Sequence, residues 1–149
     1  MEFKRLNGLV AAVHTPMHSD GSLNLEAIEK QAEFMQAQGI SWVFVGGSTG
    51  ESHSLTVDER IALAERWSQV RLGSGLGMVV HVGCNSLADA KTLSAHAQRI
   101  GADAVSALSP SYFKPRSIEL LIECCQQIAQ AAPKLPFYFY DIPVLTGVQ

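Results

Sequence analysis

The chain is 149 residues long, 47% hydrophobic and 17% charged, which is enough apolar material to bury a core and too apolar for a disordered segment. Its formal net charge is −3, and basic residues are interspersed with acids, so no cationic surface for nucleic acid or an anionic membrane is expected. Small-molecule chemistry is the class of function left standing.

Apolar runs and amphipathic stretches alternate along the chain. Strands are predicted at Gly8 to Val13, Trp42 to Val45, Met78 to Val82, Ala104 to Leu108 and Phe137 to Tyr140. Most of these runs are continuously apolar, the pattern of parallel strands covered on both faces. Helical spacing places Leu25, Ile28, Ala32 and Met35 on one face, then Ile61, Ala64 and Trp67, then Ala90, Leu93, Ala97 and Ile100, then Ile118, Leu121, Cys125 and Ile128. Thr56-Val57-Asp58-Glu59 reads as a capping box, Asn24, Ser86 and Ser117 as further N-caps, and Gly39 and Gly101 as left-handed stops.

The repeat of about thirty to thirty-five residues is that of a βα unit, eight of which make a closed barrel of roughly 250 residues. The expected fold is α/β: an incomplete (β/α)8 TIM barrel of four βα units and a fifth strand, with residues 1–149 as the N-terminal portion of one domain. Val144 to Gln149 supply no closing helix or stop signal in this reading. An open doubly wound sheet is the alternative, but no Gly-x-Gly-x-x-Gly follows the first strand.

The cysteines Cys84, Cys124 and Cys125 show no Cys-x-x-Cys spacing, so no disulfide framework is expected. Met1 to Leu6 lack the apolar stretch of a signal peptide, and no apolar run reaches the ~20 residues of a membrane span. A cytoplasmic protein without membrane partners is expected.

In a βα fold the reactive groups sit at the C-terminal ends of strands. Four segments meet that condition: Thr15-Pro16, Gly46 to Glu51, Ser109 to Phe113, and Tyr140 to Pro143. In Gly46-Gly47-Ser48-Thr49-Gly50-Glu51, glycines let the backbone approach a ligand while two hydroxyls and exposed N–H groups hold a carboxylate; a plain strand-to-helix turn is the bland alternative. The same residues match the Gly-x-Ser-x-Gly nucleophile elbow, but that motif must turn directly into a helix. Here the helix waits until Thr56, and Asp89 and His96, which would complete a triad, fall within one surface helix away from the loop. Nor does a Gly-Lys-Ser/Thr follow, as a P-loop requires.

Tyr140, at the end of the fifth strand, is a candidate proton shuttle, with a buried structural tyrosine as the alternative. Tyr112 is a weaker candidate, since a loop aromatic is as often an oligomer contact. The histidines, His14, His18, His53, His81 and His96, lack metal-ligand spacing, so no metal or other cofactor is expected. His81 reads as a strand-end core histidine.

In order and position, Gly46 to Glu51, Tyr140-Asp141-Ile142-Pro143 and Thr15-Pro16 resemble the N-acetylneuraminate lyase and dihydrodipicolinate synthase superfamily across essentially the whole chain. The resemblance implies a pyruvate-dependent class I aldolase on a TIM barrel, usually a homotetramer. It implies that Gly47, Ser48 and Thr49 bind the pyruvate carboxylate, that Tyr140 relays protons with Ser48, and that Tyr112 joins the relay, reaching across a subunit interface. The family nucleophile is a lysine on the sixth strand that forms a Schiff base. Lys4, Lys30, Lys91 and Lys134 fall at wrong positions for it, and Lys114 sits in a solvated loop, so the lysine is expected beyond this chain and the chain alone is expected to be inactive. Ser48-Thr49 in place of Thr-Thr, and Leu145 where the synthase has an arginine for a second carboxylate, point to cleavage of N-acetylneuraminate (sialic acid). Asp141 departs from the Asn or His common at that position. A synthase-like enzyme, an aldolase for another 2-keto-3-deoxy sugar acid, and a non-catalytic barrel fragment are the alternatives.

Overall fold

Five short parallel strands form at the predicted apolar runs, the third shifted one residue toward the N-terminus: β1 (Val10–Ala12), β2 (Trp42–Val45), β3 (Gly77–His81), β4 (Ala104–Ala107) and β5 (Phe137–Phe139). The computed structural model describes residues 6–149; Lys4 and nearly all of the stretch read for a leader lie outside the described residues. Helices α1 (Ala27–Ala37), α2 (Val57–Val70), α3 (Leu87–Arg99) and α4 (Ile118–Gln130) connect the strands. Strand order is sequential, β1-β2-β3-β4-β5, and every pairing is parallel. A doubly wound sheet reverses its strand order partway, so that alternative is excluded.

Side-chain alternation sorts the sheet into two faces. Val43, Val45, Met78, Val80, Val105 and Ala107 pack with Leu63, Ala64, Trp67, Leu93, Ala97 and Ile128 of the helices in the main core. The residues between them, Trp42, Phe44, Val79, Ala104 and Tyr138, form a second cluster on the opposite face. Parity therefore puts Phe44, His81 and Tyr140 on that second face, at the end where the strands finish.

Caps act as the sequence requires. The Thr56 hydroxyl accepts the Glu59 N–H at 3.2 Å while the Glu59 carboxylate accepts the Thr56 N–H at 2.8 Å, a complete capping box. Ser86 and Ser117 cap α3 and α4. Asn24 Oδ1 accepts the Ala27 N–H at 3.3 Å, but an irregular turn follows Asn24 and α1 itself starts only at Ala27. Gly39 and Gly101 take φ of 70° and 76°, as left-handed stops require.

Three expectations change. β1 is shorter because Gly8 has φ 94°, outside the strand region. The buried face of α2 is Arg60, Leu63, Ala64 and Trp67, rotated from the predicted one, so that Ile61 is only half-buried. The terminal segment does hold a helix, α5 (Pro143–Thr146), with Pro143 at its first turn and Gly147 closing it at φ 63°. Four residues are too few to show periodicity, although proline at the start and glycine at the end are a recognised signature.

Replacing Thr56 by Ala is expected to lower unfolding free energy by about 1 kcal/mol in urea titration, with an unchanged m-value.

Candidate active site

The loop Gly46 to Glu51 leaves β2 with Gly46 at φ 69° and re-enters helical geometry through Glu51 at φ 54°. Glu51 and Ser52 N–H groups donate to Ser48 O (3.0 Å) and Gly47 O (3.4 Å), and a 3₁₀ turn, Ser52–Ser54, leads to α2. The loop is pinned from below: the Thr15 hydroxyl donates to Gly50 O at 2.6 Å. A Cβ on Gly50 would lie 3.2 Å from the Cα and N of Gly46 and from Val13 O. The Ser48 and Thr49 N–H groups have no acceptor among the described residues. The Thr15 bond and the loop's own backbone bonds make the segment a constrained strand-to-helix turn.

Tyr140 stands against this loop. Its hydroxyl donates to Ser48 Oγ across a long 3.5 Å, and its ring meets Phe44 and His81 edge-on at 5.4 and 5.9 Å between centroids. A phenol that donates to Ser48 leaves the serine proton free for a ligand. Beside them opens a cleft of about 430 Å3 lined by Ser48, Glu51, Ser52, His53, Ser111 and Leu145 among others.

Tyr112 is 79% exposed and meets Phe113 edge-on at 4.9 Å between centroids, so this chain alone does not bring it to Tyr140. Its loop is nonetheless fixed, since Asn85 Oδ1 accepts the Ser111 and Tyr112 N–H groups at 2.9 Å each. Asp141 is exposed. Lys30, Lys91 and Lys134 are exposed away from the cleft, and Lys114, also exposed, carries its Nζ beside Gly147. His96 corrects the surface-helix expectation: it is 2% exposed and meets Glu65 at 2.9 Å, because its face of α3 turns toward α2. Among the described residues no three His, Cys, Asp or Glu side chains gather as a metal site would need.

His81 is buried as predicted, and its ring is committed at both nitrogens. A carbonyl only accepts and an amide N–H only donates, so Nδ1 donates to Gly46 O at 2.8 Å and Nε2 accepts from Leu108 N at 3.4 Å. Burial, with the Arg60 cation adding to it, pulls its pKa down from 6.5 to about 3. Arg60 went unnoticed in the sequence. It is 7% exposed and donates to His81 O at 2.9 Å, Gly83 O at 3.1 Å and Cys84 Sγ at 3.5 Å. Its signal was the spacing Arg60, Leu63, Ala64, Trp67, which puts a cation on an apolar helix face. Desolvation lowers the Arg60 pKa, raises that of Cys84 and, together with Arg60, lowers that of His53.

The profile of the Dihydrodipicolinate synthetase family matches residues 5–149. The chain belongs to that family. Among its relatives is N-acetylneuraminate lyase A of Xenopus laevis, 50% identical over 97% of this chain and 48% of the relative. Among solved structures, the N-acetylneuraminate lyase of Proteus mirabilis superposes with a TM-score of 0.93 at 37% identity, covering 98% of this chain and 49% of that one. A prophage protein of the same family from E. coli K12, solved in complex with pyruvate, gives 0.88 at 29% identity over 94% of this chain and 46% of its own. The chain spans about half the length of the curated relatives it matches. Its five-stranded sheet is accordingly part of the family's TIM barrel.

Two outcomes are expected from this geometry. Gly50→Ala should cost about 1–3 kcal/mol, since every neighbour of the added methyl is backbone and cannot move aside; urea unfolding measures it. For pH, the unfolded chain protonates His81 below 6.5 whereas the native chain resists to about 3. The unfolded state then holds the extra proton, so native stability falls as pH drops through that window, by an amount on the order of a few kcal/mol. The slope of stability against pH should be flatter in His81→Asn than in the wild type.

Proposed function

We propose that this chain is the carboxylate-binding and proton-relaying part of an aldolase that cleaves N-acetylneuraminate to N-acetylmannosamine and pyruvate. The observation that carries the reading is the contact of Tyr140 with Ser48 at the strand ends, in a chain whose relatives at 42–50% identity are N-acetylneuraminate lyases.

The Ser48 and Thr49 N–H groups and hydroxyls take the keto-acid carboxylate. Tyr140, relaying through Ser48, moves the proton at the oxygen that becomes the aldehyde carbonyl. A lysine outside these 149 residues forms the Schiff base, which makes the bond-breaking step run toward an enamine instead of an unstabilised carbanion. Residues 1–149 are, on this reading, the N-terminal portion of one barrel domain, and the whole protein is a cytoplasmic homotetramer in which Tyr112 joins the relay of a neighbouring subunit. Leu145 on the cleft wall favours the lyase over a synthase-like enzyme, because an apolar side chain offers no charge partner to a second carboxylate. An aldolase for another 2-keto-3-deoxy sugar acid would use the same groups.

Borohydride reduction of the full-length protein with pyruvate should trap a covalent adduct on a lysine beyond Gln149. The 149-residue chain alone should give neither adduct nor turnover, and an adduct on Lys114 would overturn the assignment of the nucleophile. In the full-length protein, Tyr140→Phe should lower kcat by roughly 10²–10⁴-fold while leaving the trapped adduct in place.

A further inference from the structure

We infer that His81 is a positioning residue: its Nδ1–H bond to the Gly46 carbonyl holds the Gly46 to Glu51 loop at the height where Ser48 meets Tyr140. The link to keto-acid capture rests on the function proposed above, whereas the link to loop geometry does not.

The inference comes from how many strand ends one ring touches. Nδ1 holds Gly46 at the end of β2, Nε2 holds Leu108 at the end of β4, and the ring face and edge meet Phe44 of β2 and Tyr140 after β5. One side chain thus meets the ends of β2, β4 and β5. The ring cannot swing away. Its own carbonyl and that of Gly83 are fixed by Arg60, and a Cβ on Gly83 would already lie 2.9 Å from Nε2. Gly46 lies two residues before Ser48 and has positive φ, so without the bond to its carbonyl the peptide is free to rotate and carry the serine with it. The groups facing the ring from the elements packed around it are Arg60 and His53; among the described residues no carboxylate is in contact with it.

The test compares three variants of the full-length protein. His81→Asn keeps an N–H donor at the Nδ1 position, His81→Gln places its amide at the Nε2 position instead, and His81→Leu keeps the volume with neither bond. Amide hydrogen exchange in the ligand-free chain should show the Glu51 and Ser52 amides exchanging at least ten-fold faster in the Leu and Gln variants, within three-fold of wild type in Asn, and protection in α1 unchanged in all. Pyruvate dissociation constants measured by calorimetry should follow the same order. Equal loop protection in Asn and Gln, or Asn as fast as Leu, overturns the inference; if the Leu variant fails to fold, the Asn–Gln contrast decides alone. Absence of pyruvate binding to the full-length wild-type protein counts against the proposed function and leaves the exchange result to judge His81.

Discussion

The bond from the His81 ring to the Gly46 carbonyl lies where two requirements of a parallel βα sheet meet. Strand ends must converge to make a site, yet each end leaves a peptide group without a ladder partner, and a buried peptide group cannot stay unpaired without cost. A neutral imidazole meets both needs, because it offers one donor and one acceptor on opposite edges of a rigid plane. Burial keeps it neutral, and neutrality is what allows the two bonds to have opposite sense. A protonated ring would donate at both nitrogens and set Nε2–H against the Leu108 N–H.

Arg60 extends the same logic one layer outward. A cation at 7% exposure without a carboxylate partner among the described residues is unusual, and here its charge is dispersed over the carbonyls of His81 and Gly83 and the Cys84 sulfur. The arrangement couples α2 to the end of β3 through directional bonds as well as apolar contact. Packing alone positions an element; bonds of this kind also fix the rotation of individual peptides, which is the finer requirement at a site.

What could be read in advance follows from which signals are local. Strand runs and caps are consequences of residues within one turn or one strand of each other, so the five strands, and Ser86 and Thr56 as helix starts, could be placed before any tertiary contact was known, whereas the face shared by Phe44 and Tyr140 needed the pairing register. The Tyr140 to Ser48 contact spans 92 positions and was reached only because both motifs sit at strand ends and resemble a family. Arg60 was missed because a charged residue in a first turn looks like an ordinary surface or capping group until its partners, 21 and 23 residues away, are in view. His96 misled for the same reason, since the helix it faces is remote in sequence. The short α5 was passed over because a single turn has no period to detect.

The glycines packed behind the cleft differ from the residues that line it in what substitution they allow. At Gly47, Gly50 and Gly83 a side chain would strike, respectively, the Phe44 ring, backbone atoms of Gly46 and Val13, and His81 together with the Leu108 amide. Those positions are closed to redesign. The exposed Leu145 and Ser54 line the cleft itself, and neither side chain makes a hydrogen bond that holds the strand ends. A protein engineer seeking a different acceptance for the part of a substrate beyond its carboxylate has those two positions to work with, and can leave the glycines untouched.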